Sequence, residues 1–181
     1  FDLEYWSLEQ AKIGKSREPV LSGNIVAITG AGGVIGREIA REFSKAGAET
    51  ICIDIDYEEA RETARVCGDH SIAIKCDLTN KEDIEKAFNS IVSNFGGLDI
   101  MISNAGSAWE GNISELKDNV LQKSLEINLF AHQNIAKHSV RLFKSQDYME
   151  KDYENSLGGH LLFNISKQAL NPGKGFGAYG I

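Results

Sequence analysis

A glycine-rich turn near the start of the chain most strongly constrains how it can fold. Residues 29–36 read TGAGGVIG; they follow the apolar run 25–28 and precede a helical pattern over 37–45. A strand, a glycine turn and a helix in this order leave unpaired N–H groups and a positive dipole end at the start of the helix. Glycines let the backbone turn tightly and approach a phosphate closely. The segment therefore predicts a site for the pyrophosphate of a dinucleotide.

Strands and helices alternate along the rest of the chain. The predicted strands lie near 24–30, 50–55, 71–76, 98–103 and 159–165, and the predicted helices near 34–47, 57–67, 80–95, 119–143 and, for a short piece, 113–118. Strands that are almost entirely apolar are typical of a parallel sheet covered on both faces. The alternation predicts an α/β fold with a doubly wound parallel sheet.

The chain length of 181 residues fits one domain with a polar segment before it. We interpret residues 1–23 as a lead-in or linker, with a short helix at 8–12, and residues 24–181 as the nucleotide-binding domain. The charged stretch 144–155 is interpreted as a solvated loop or a helix extension before the fifth strand.

Composition excludes several classes of partner. The formal net charge is −7, which argues against nucleic acid or an anionic membrane as the main partner. No apolar run approaches the roughly 20 residues of a membrane helix, and the acidic, aromatic start is unlike a signal peptide, so we expect a cytoplasmic protein. The three cysteines match no metal-binding spacing, which predicts reduced thiols and no metal site.

Two aspartates follow the second and third predicted strands. Asp54 ends the second strand, where its carboxylate can accept hydrogen bonds from ribose hydroxyls and would repel the ribose phosphate of NADP, so it favours NAD. Asp77, which precedes Leu78, can bond the adenine amino group. Either aspartate could instead cap the helix that follows it, and Asp56 is a competing cap for the helix after Asp54.

The fourth strand and the long helix contribute further candidates. The fourth strand ends in the small residues Asn104, Ala105 and Gly106, which leave room for a cofactor and are also common in ordinary turns. Asn128 lies on the apolar stripe of helix 119–143, so it is either a hydrogen-bonded core residue or a functional one. His132 on the same stripe is interpreted as a core histidine.

The last candidate pair is Ser166, at the end of the fifth strand, and Tyr179, thirteen residues later. A serine hydroxyl can hydrogen-bond a carbonyl oxygen, and a tyrosine hydroxyl can exchange a proton with it. Beside a dinucleotide, such a pair predicts an oxidoreductase acting on a small carbonyl or alcohol.

In chain order these features resemble a short-chain dehydrogenase/reductase over residues 24–181. The resemblance implies a Rossmann-type sheet with NAD at its carboxyl edge. The implied catalytic residues are Asn128, Ser166 and Tyr179. The implied cofactor-binding residues are Gly30, Gly33, Val34, Ile35, Gly36, Asp54, Asp77, Leu78, Asn104, Ala105 and Gly106. Asn128 would place a water for proton relay, Ser166 would orient the carbonyl, and Tyr179 would be the acid/base.

Three positions depart from the family pattern. Val34 stands where single-domain members have glycine, and Ser103 replaces the commoner asparagine before Asn104. The family lysine four positions after the tyrosine would fall at position 183, beyond Ile181. We therefore expect a C-terminally truncated domain, inactive by itself, because that lysine would lower the tyrosine pKa and bind the nicotinamide ribose.

The flanking segments resemble the dehydrogenase half of the bifunctional rhamnulose-1-phosphate aldolase/alcohol dehydrogenases. The segments are EYWSLEQAK at 4–12, FNISK at 163–167, NPG at 171–173 and FGAYG at 176–180. This resemblance implies an aldolase domain before the lead-in and lactaldehyde as the substrate oxidised with NAD. The alternatives are a sugar or carbonyl reductase of the same family and a non-catalytic NAD-binding module. A homo-oligomer paired through the long helix is also expected by analogy.

Overall fold

The computed structural model describes residues 19–147 and 158–180. The predicted short helix at 8–12, most of the lead-in and most of the charged segment 144–155 lie outside the described residues.

Five parallel strands form one sheet, and each lies within two residues of its predicted bounds. They are β1 Ile25–Thr29, β2 Glu49–Asp54, β3 Ile72–Lys75, β4 Ile100–Ser103 and β5 His160–Phe163. The order in the sheet is β3-β2-β1-β4-β5. The chain therefore moves outward from β1 to β3 and then crosses back to β4. That reversal opens a crevice beyond the carboxyl ends of β1 and β4, where ligands bind in open α/β sheets.

Helices cover both faces of the sheet. They are α1 Val34–Lys45, α2 Tyr57–Cys67, α3 Lys81–Phe95, α4 Asp118–Leu125 and α5 Ala131–Asp147. Two separate groups of buried apolar residues fill the space between layers: α1 and α2 pack on one face with Val26 and Ile28, and α3 and α5 pack on the other with Ala27 and Met101. The prediction of a doubly wound α/β fold is confirmed.

Side-chain caps explain where two of these helices begin. The Asp56 carboxylate accepts hydrogen bonds from the backbone N–H groups of Glu58 and Glu59, so α2 starts at Tyr57 as predicted. Asn80 caps α3 in the same way. Gly96, with φ of 79°, ends α3 in the left-handed conformation that glycine adopts without strain.

The long helix predicted over 119–143 is interrupted. A π-turn at Glu126–Phe130 separates α4 from α5, and the predicted helical piece at 113–118 is a single 3₁₀ turn, Ile113–Glu115. π-turns inside helices occur often at functional sites. Asn128 therefore lies at the middle of a π-turn and not in the regular helix that the sequence predicted.

Two of the three cysteines are buried and the third is half-buried. Cys52 and Cys76 are at most 1% exposed, and all three thiols are free. The Cys67 thiol and burial together raise the pKa of Cys52, and burial raises the pKa of Cys76 to about 12.

Within residues 19–147 and 158–180, every helix falls short of the length and apolarity needed to cross a membrane.

Candidate functional site

A cleft of about 1670 Å³ lies at the carboxyl edge of the sheet. Every residue predicted for the site lines it, from the glycine turn at one end to Ser166 and Tyr179 at the other. The structure therefore brings together segments that are up to 149 positions apart, while the roles of the individual residues stay predictions. Across the same described ranges, no group of three or more potential ligands could hold a metal ion.

The glycine turn packs against the turn that follows β4. Gly30 has a φ of 67°, and a Cβ at this position would come within 2.9 Å of the Cα of Ala105. A Cβ at Gly36 would clash with the carbonyl oxygen of Gly30, so helix α1 can start beside the turn only with glycine there. Gly33 occupies the N-cap of α1 without a side-chain cap, and the first turn holds no acidic residue. This helix start is suited to an anion.

Asp54 anchors the glycine turn to the end of β2. Its Oδ2 accepts a hydrogen bond from Gly32 N at 2.9 Å, and its Oδ1 accepts one from Asp56 N at 3.0 Å. The alternative in which Asp54 caps helix α2 is wrong, because Asp56 is the cap. Asp54 is half-buried at the cleft wall, where a carboxylate oxygen retains lone pairs for further donors.

Asp77 also lies in the cleft without capping a helix. Its Oδ1 accepts hydrogen bonds from Thr79 N at 2.9 Å and from Thr79 Oγ1 at 2.7 Å, while Asn80 caps α3. The helix-cap interpretation of Asp77 is therefore wrong. Its neighbour Leu78 is 7% exposed and belongs to the core beneath the cleft.

Thr29 holds the segment after β4 in place. Its Oγ1 accepts hydrogen bonds from Asn104 N at 2.9 Å and Ala105 N at 3.1 Å, and its carbonyl oxygen accepts one from Asn104 Nδ2 at 2.9 Å. Asn104 Oδ1 in turn accepts a hydrogen bond from Asn164 Nδ2, beyond β5, at 2.7 Å. Three neighbouring strands are thus linked at the edge that forms the cleft.

Asn128 clamps the loop that follows Gly106. Its Nδ2 donates to Ser107 O at 2.8 Å and to Ser124 Oγ at 3.1 Å, and its Oδ1 accepts from Ser107 N at 3.0 Å. The hydroxyl of Ser124, 2% exposed, donates to Ala178 O at 2.5 Å. Both Nδ2–H donors of Asn128 are therefore used, while its Oδ1 keeps a second lone pair. The same chain of bonds reaches Ala178, the residue before Tyr179.

Ser166 and Tyr179 both face the cleft from the segment after β5. Ser166 Oγ accepts a hydrogen bond from Gln168 N at 3.2 Å and so caps a 3₁₀ turn, which leaves its hydroxyl proton available for another acceptor. Tyr179 is half-buried, with its backbone N–H bonded to Phe176 O at 3.1 Å. Both residues line the same cleft.

His132 is part of the cleft wall and has a polar partner. Its Nδ1 lies 2.6 Å from Ser103 Oγ, and its ring lies 6.0 Å from that of Phe163. Burial lowers the pKa of His132, so its neutral form is favoured at pH 7. The interpretation of His132 as a core residue omitted this contact between α5 and β4.

Sequence reasoning missed several residues that shape the cleft. They are Thr29, Glu59, Ser107, Ser124 and Asn164. Thr29 carries a local signal, because it is the hydroxyl residue that ends an otherwise apolar strand. Ser107 and Ser124 carry none, since Ser107 bonds Asn128, 21 positions away, and the Ser124 hydroxyl donates to Ala178 O, 54 positions away.

The sequence is similar to those of known oxidoreductases. The chain is 30% identical to the uncharacterized oxidoreductase YuxG of Bacillus subtilis over 99% of its own length and 26% of that protein. It is 31% identical to a probable NADP-dependent mannitol dehydrogenase of Yarrowia lipolytica over 78% of its own length and 53% of that protein.

A solved structure agrees with the fold. The 3-ketoacyl-(acyl-carrier-protein) reductase of Brucella melitensis, complexed with NADH, superposes with a TM-score of 0.80 at 25% identity over 88% of this chain and 64% of that one. The chain thus spans about a quarter to two thirds of the proteins it matches. The family model described as short chain dehydrogenase matches residues 24–180. With this match across its sheet, glycine turn and cleft, the chain belongs to the short-chain dehydrogenase/reductase family.

Proposed function

We propose that this domain oxidises a small alcohol to a carbonyl compound with NAD. The observation that carries the proposal is the shared cleft. It is lined by the uncapped start of α1, by the Asp54 carboxylate, and by Ser166 and Tyr179. The glycine turn fits a dinucleotide for two reasons. Gly30 and Gly36 let the backbone turn tightly where a Cβ would clash, and Gly33 leaves the start of α1 without a side-chain cap. NAD would accept a hydride from the carbon that bears the hydroxyl group.

The residues of the chain would handle the oxygen and its proton. Tyr179, as its phenolate, would accept the alcohol proton as the hydride leaves, and Ser166 would donate a hydrogen bond to the oxygen as the carbonyl forms. Asn128, whose amide is committed to Ser107 and Ser124, would hold the cleft wall and order a water at the π-turn.

We assign the ribose and adenine contacts to the two aspartates of the cleft. Asp54 would accept hydrogen bonds from the ribose hydroxyls, and Asp77 would accept one from the adenine amino group. The NADH in the reductase of Brucella melitensis supports NAD, whereas the mannitol relative is described as NADP-dependent. Asp54 supports NAD here because its charge repels a ribose phosphate.

The substrate we favour is lactaldehyde in its hydrated form, whose C1 bears two hydroxyl groups and would be oxidised to the carboxylic acid, in a protein that also carries an aldolase domain. The support is the resemblance of the flanking segments, together with an alignment to the Bacillus subtilis oxidoreductase that covers 99% of this chain, lead-in included, and 26% of that protein. The mannitol relative supports a second candidate, the interconversion of a polyol and a ketose.

Two further expectations concern the surroundings of the enzyme. The free thiols of Cys52, Cys67 and Cys76 fit a reducing compartment such as the cytoplasm. Two copies could pair through exposed apolar side chains near α5. These are Phe130, in the π-turn, and Val140, in α5, which are 53% and 42% exposed.

The test is NADH formation by the full-length protein, with lactaldehyde and a panel of polyols as substrates. We expect turnover with lactaldehyde and NAD, slower turnover with NADP, and a loss of at least about 100-fold in kcat for Tyr179→Phe. Near-normal turnover of Tyr179→Phe would refute the acid/base role. Turnover of polyols alone would replace lactaldehyde by the second candidate, and tight NAD binding without turnover of any substrate would indicate a non-catalytic module.

A further inference from the structure

An arginine and a glutamate meet behind the glycine turn. Arg37 Nη2 lies 2.6 Å from Glu59 Oε2 and donates a hydrogen bond to Gly32 O at 3.1 Å. Arg37 Nε donates to Thr63 Oγ1 at 3.2 Å, and the Thr63 hydroxyl donates to Ala31 O at 2.8 Å. The guanidinium is therefore held beside the turn by an ion pair and two hydrogen bonds.

Gly32 connects this ion pair to Asp54. Its N–H donates to Asp54 Oδ2 at 2.9 Å, while its carbonyl oxygen accepts from Arg37. A Cβ at Gly32 would lie 2.7 Å from Glu59 Cβ and 3.0 Å from Asp54 Oδ2. The carboxylate proposed to hold the ribose and the Arg37–Glu59 pair are thus separated by a single residue, Gly32.

The charges at this end of the cleft are unequal. Four carboxylates line it, those of Asp54, Asp56, Glu59 and Asp77. Arg37 is absent from the wall, although Glu59, its partner, forms part of it. The arginine is thus directed toward Glu59 and the turn instead of toward the ligand space.

We propose that Glu59 is a second determinant of cofactor selectivity, acting by holding Arg37 away from the site of a ribose phosphate. The inference rests on the proposed NAD site. Asp54 would repel the phosphate of NADP directly, whereas Glu59 withholds the cation that would attract it. A guanidinium pairs with phosphate through parallel N–H donors, so a released Arg37 would bind the ribose phosphate strongly.

The ion pair is open enough to be released. The side chains of Arg37 and Glu59 are 34% and 57% exposed, and pairs this exposed are worth little to folding stability. Removal of the Glu59 carboxylate should leave the fold intact and release the guanidinium, because its remaining contacts are two hydrogen bonds to neutral acceptors, Gly32 O and Thr63 Oγ1.

The experiment measures Kd for NAD and NADP by calorimetry on the full-length protein and its variants. For Glu59→Gln we expect the ratio of the NADP Kd to the NAD Kd to fall roughly tenfold, as one charge-assisted contact would give. Adding Arg37→Met should abolish the gain. Glu59→Ala repeats the test without an amide that could hold Arg37.

Glu62→Gln is the matched control. Glu62 lies on the same helix, is half-exposed, and pairs with Arg65 at 2.7 Å, away from the cleft, so its substitution changes the net charge equally. An equal gain in Glu62→Gln, an unchanged ratio in both Glu59 variants, or a gain that survives Arg37→Met would each overturn the inference. Failure of the unmodified chain to bind NAD would instead refute the proposed function.

Discussion

The hydroxyl group of Thr29 joins the first strand to the segment after the fourth. It accepts two backbone hydrogen bonds, from Asn104 and Ala105, and the residue is fully buried. Thr29→Val keeps the shape of the side chain and removes both acceptor contacts. We expect a loss of about 1–3 kcal/mol in the free energy of unfolding, because two part-buried N–H groups lose their partner.

Urea unfolding of the 181-residue chain measures this loss. Thr29→Ser keeps the hydroxyl and should lie closer to the unmodified protein than Thr29→Val does. Equal stability of the valine variant and the unmodified protein would show that the hydroxyl makes no net contribution.

Single residues were predictable where their signal was local. The glycine turn and Asp54 follow from an apolar strand and its spacing, and both line the cleft. The partners of Thr29 and Asn128 were not predictable, because they lie 75 and 21 positions away and are set by the packing of strands and loops. The cap interpretations failed at Asp54 and Asp77 because Asp56 and Asn80 lie closer to the helix starts.

At the scale of elements, α4 and the π-turn connect two segments of the cleft. Ser124 donates to Ala178 O at 2.5 Å, so it fixes the backbone just before Tyr179. Ser124→Ala should lower kcat of the full-length enzyme roughly 10- to 100-fold through misplacement of the tyrosine. KM for NAD should change little, since the glycine turn is untouched.

A matched control for this prediction is Ser139→Ala. Ser139 is fully buried in α5, and its hydroxyl donates to Ile135 O within that helix, so the variant removes a similar bond away from Tyr179. Steady-state kinetics should show normal kcat for this control. Equal losses in both variants would mean that Ser124 affects general stability instead of tyrosine position.

The elements themselves were largely predictable, with one informative failure. Helix α2 has the predicted bounds, because Asp56 and Gly68 mark its two ends. The π-turn was missed because a single inserted residue hardly alters a 3.6-residue apolar pattern. Asn128, at the middle of this turn, bonds Ser107, a tertiary contact that a local pattern does not contain.

For the molecule as a whole, the order of strands predicts which parts open first. Strands β1 and β4 have a partner on each side, whereas β3 and β5 are edge strands of the sheet. Leu162 and Phe163 of β5 are 48% and 46% exposed, while Val26, Ala27 and Ile28 of β1 are fully buried. We expect backbone amides of 25–29 and 100–103 to exchange hydrogen more slowly than those of 72–75 and 160–163.

Hydrogen exchange of the 181-residue chain, followed by mass spectrometry, measures this order. Equal protection of β1 and β5 would contradict it.

The alternation of elements predicted the parallel sheet, but the position of β1 at its centre depends on where each crossover packs, which no local pattern records.

The central place of β1 has a consequence for how the chain is made. Val26 pairs with Thr50 on one side and with Ile100 on the other, so one neighbour is synthesised long after its partner. At about 5–20 residues per second, synthesis of the 74 positions from Val26 to Ile100 takes roughly 4–15 s. During that interval one edge of an apolar strand is unpaired, and the nascent chain is a natural client for a chaperone. The glycine turn is thus translated before the segment after β4 that packs against it.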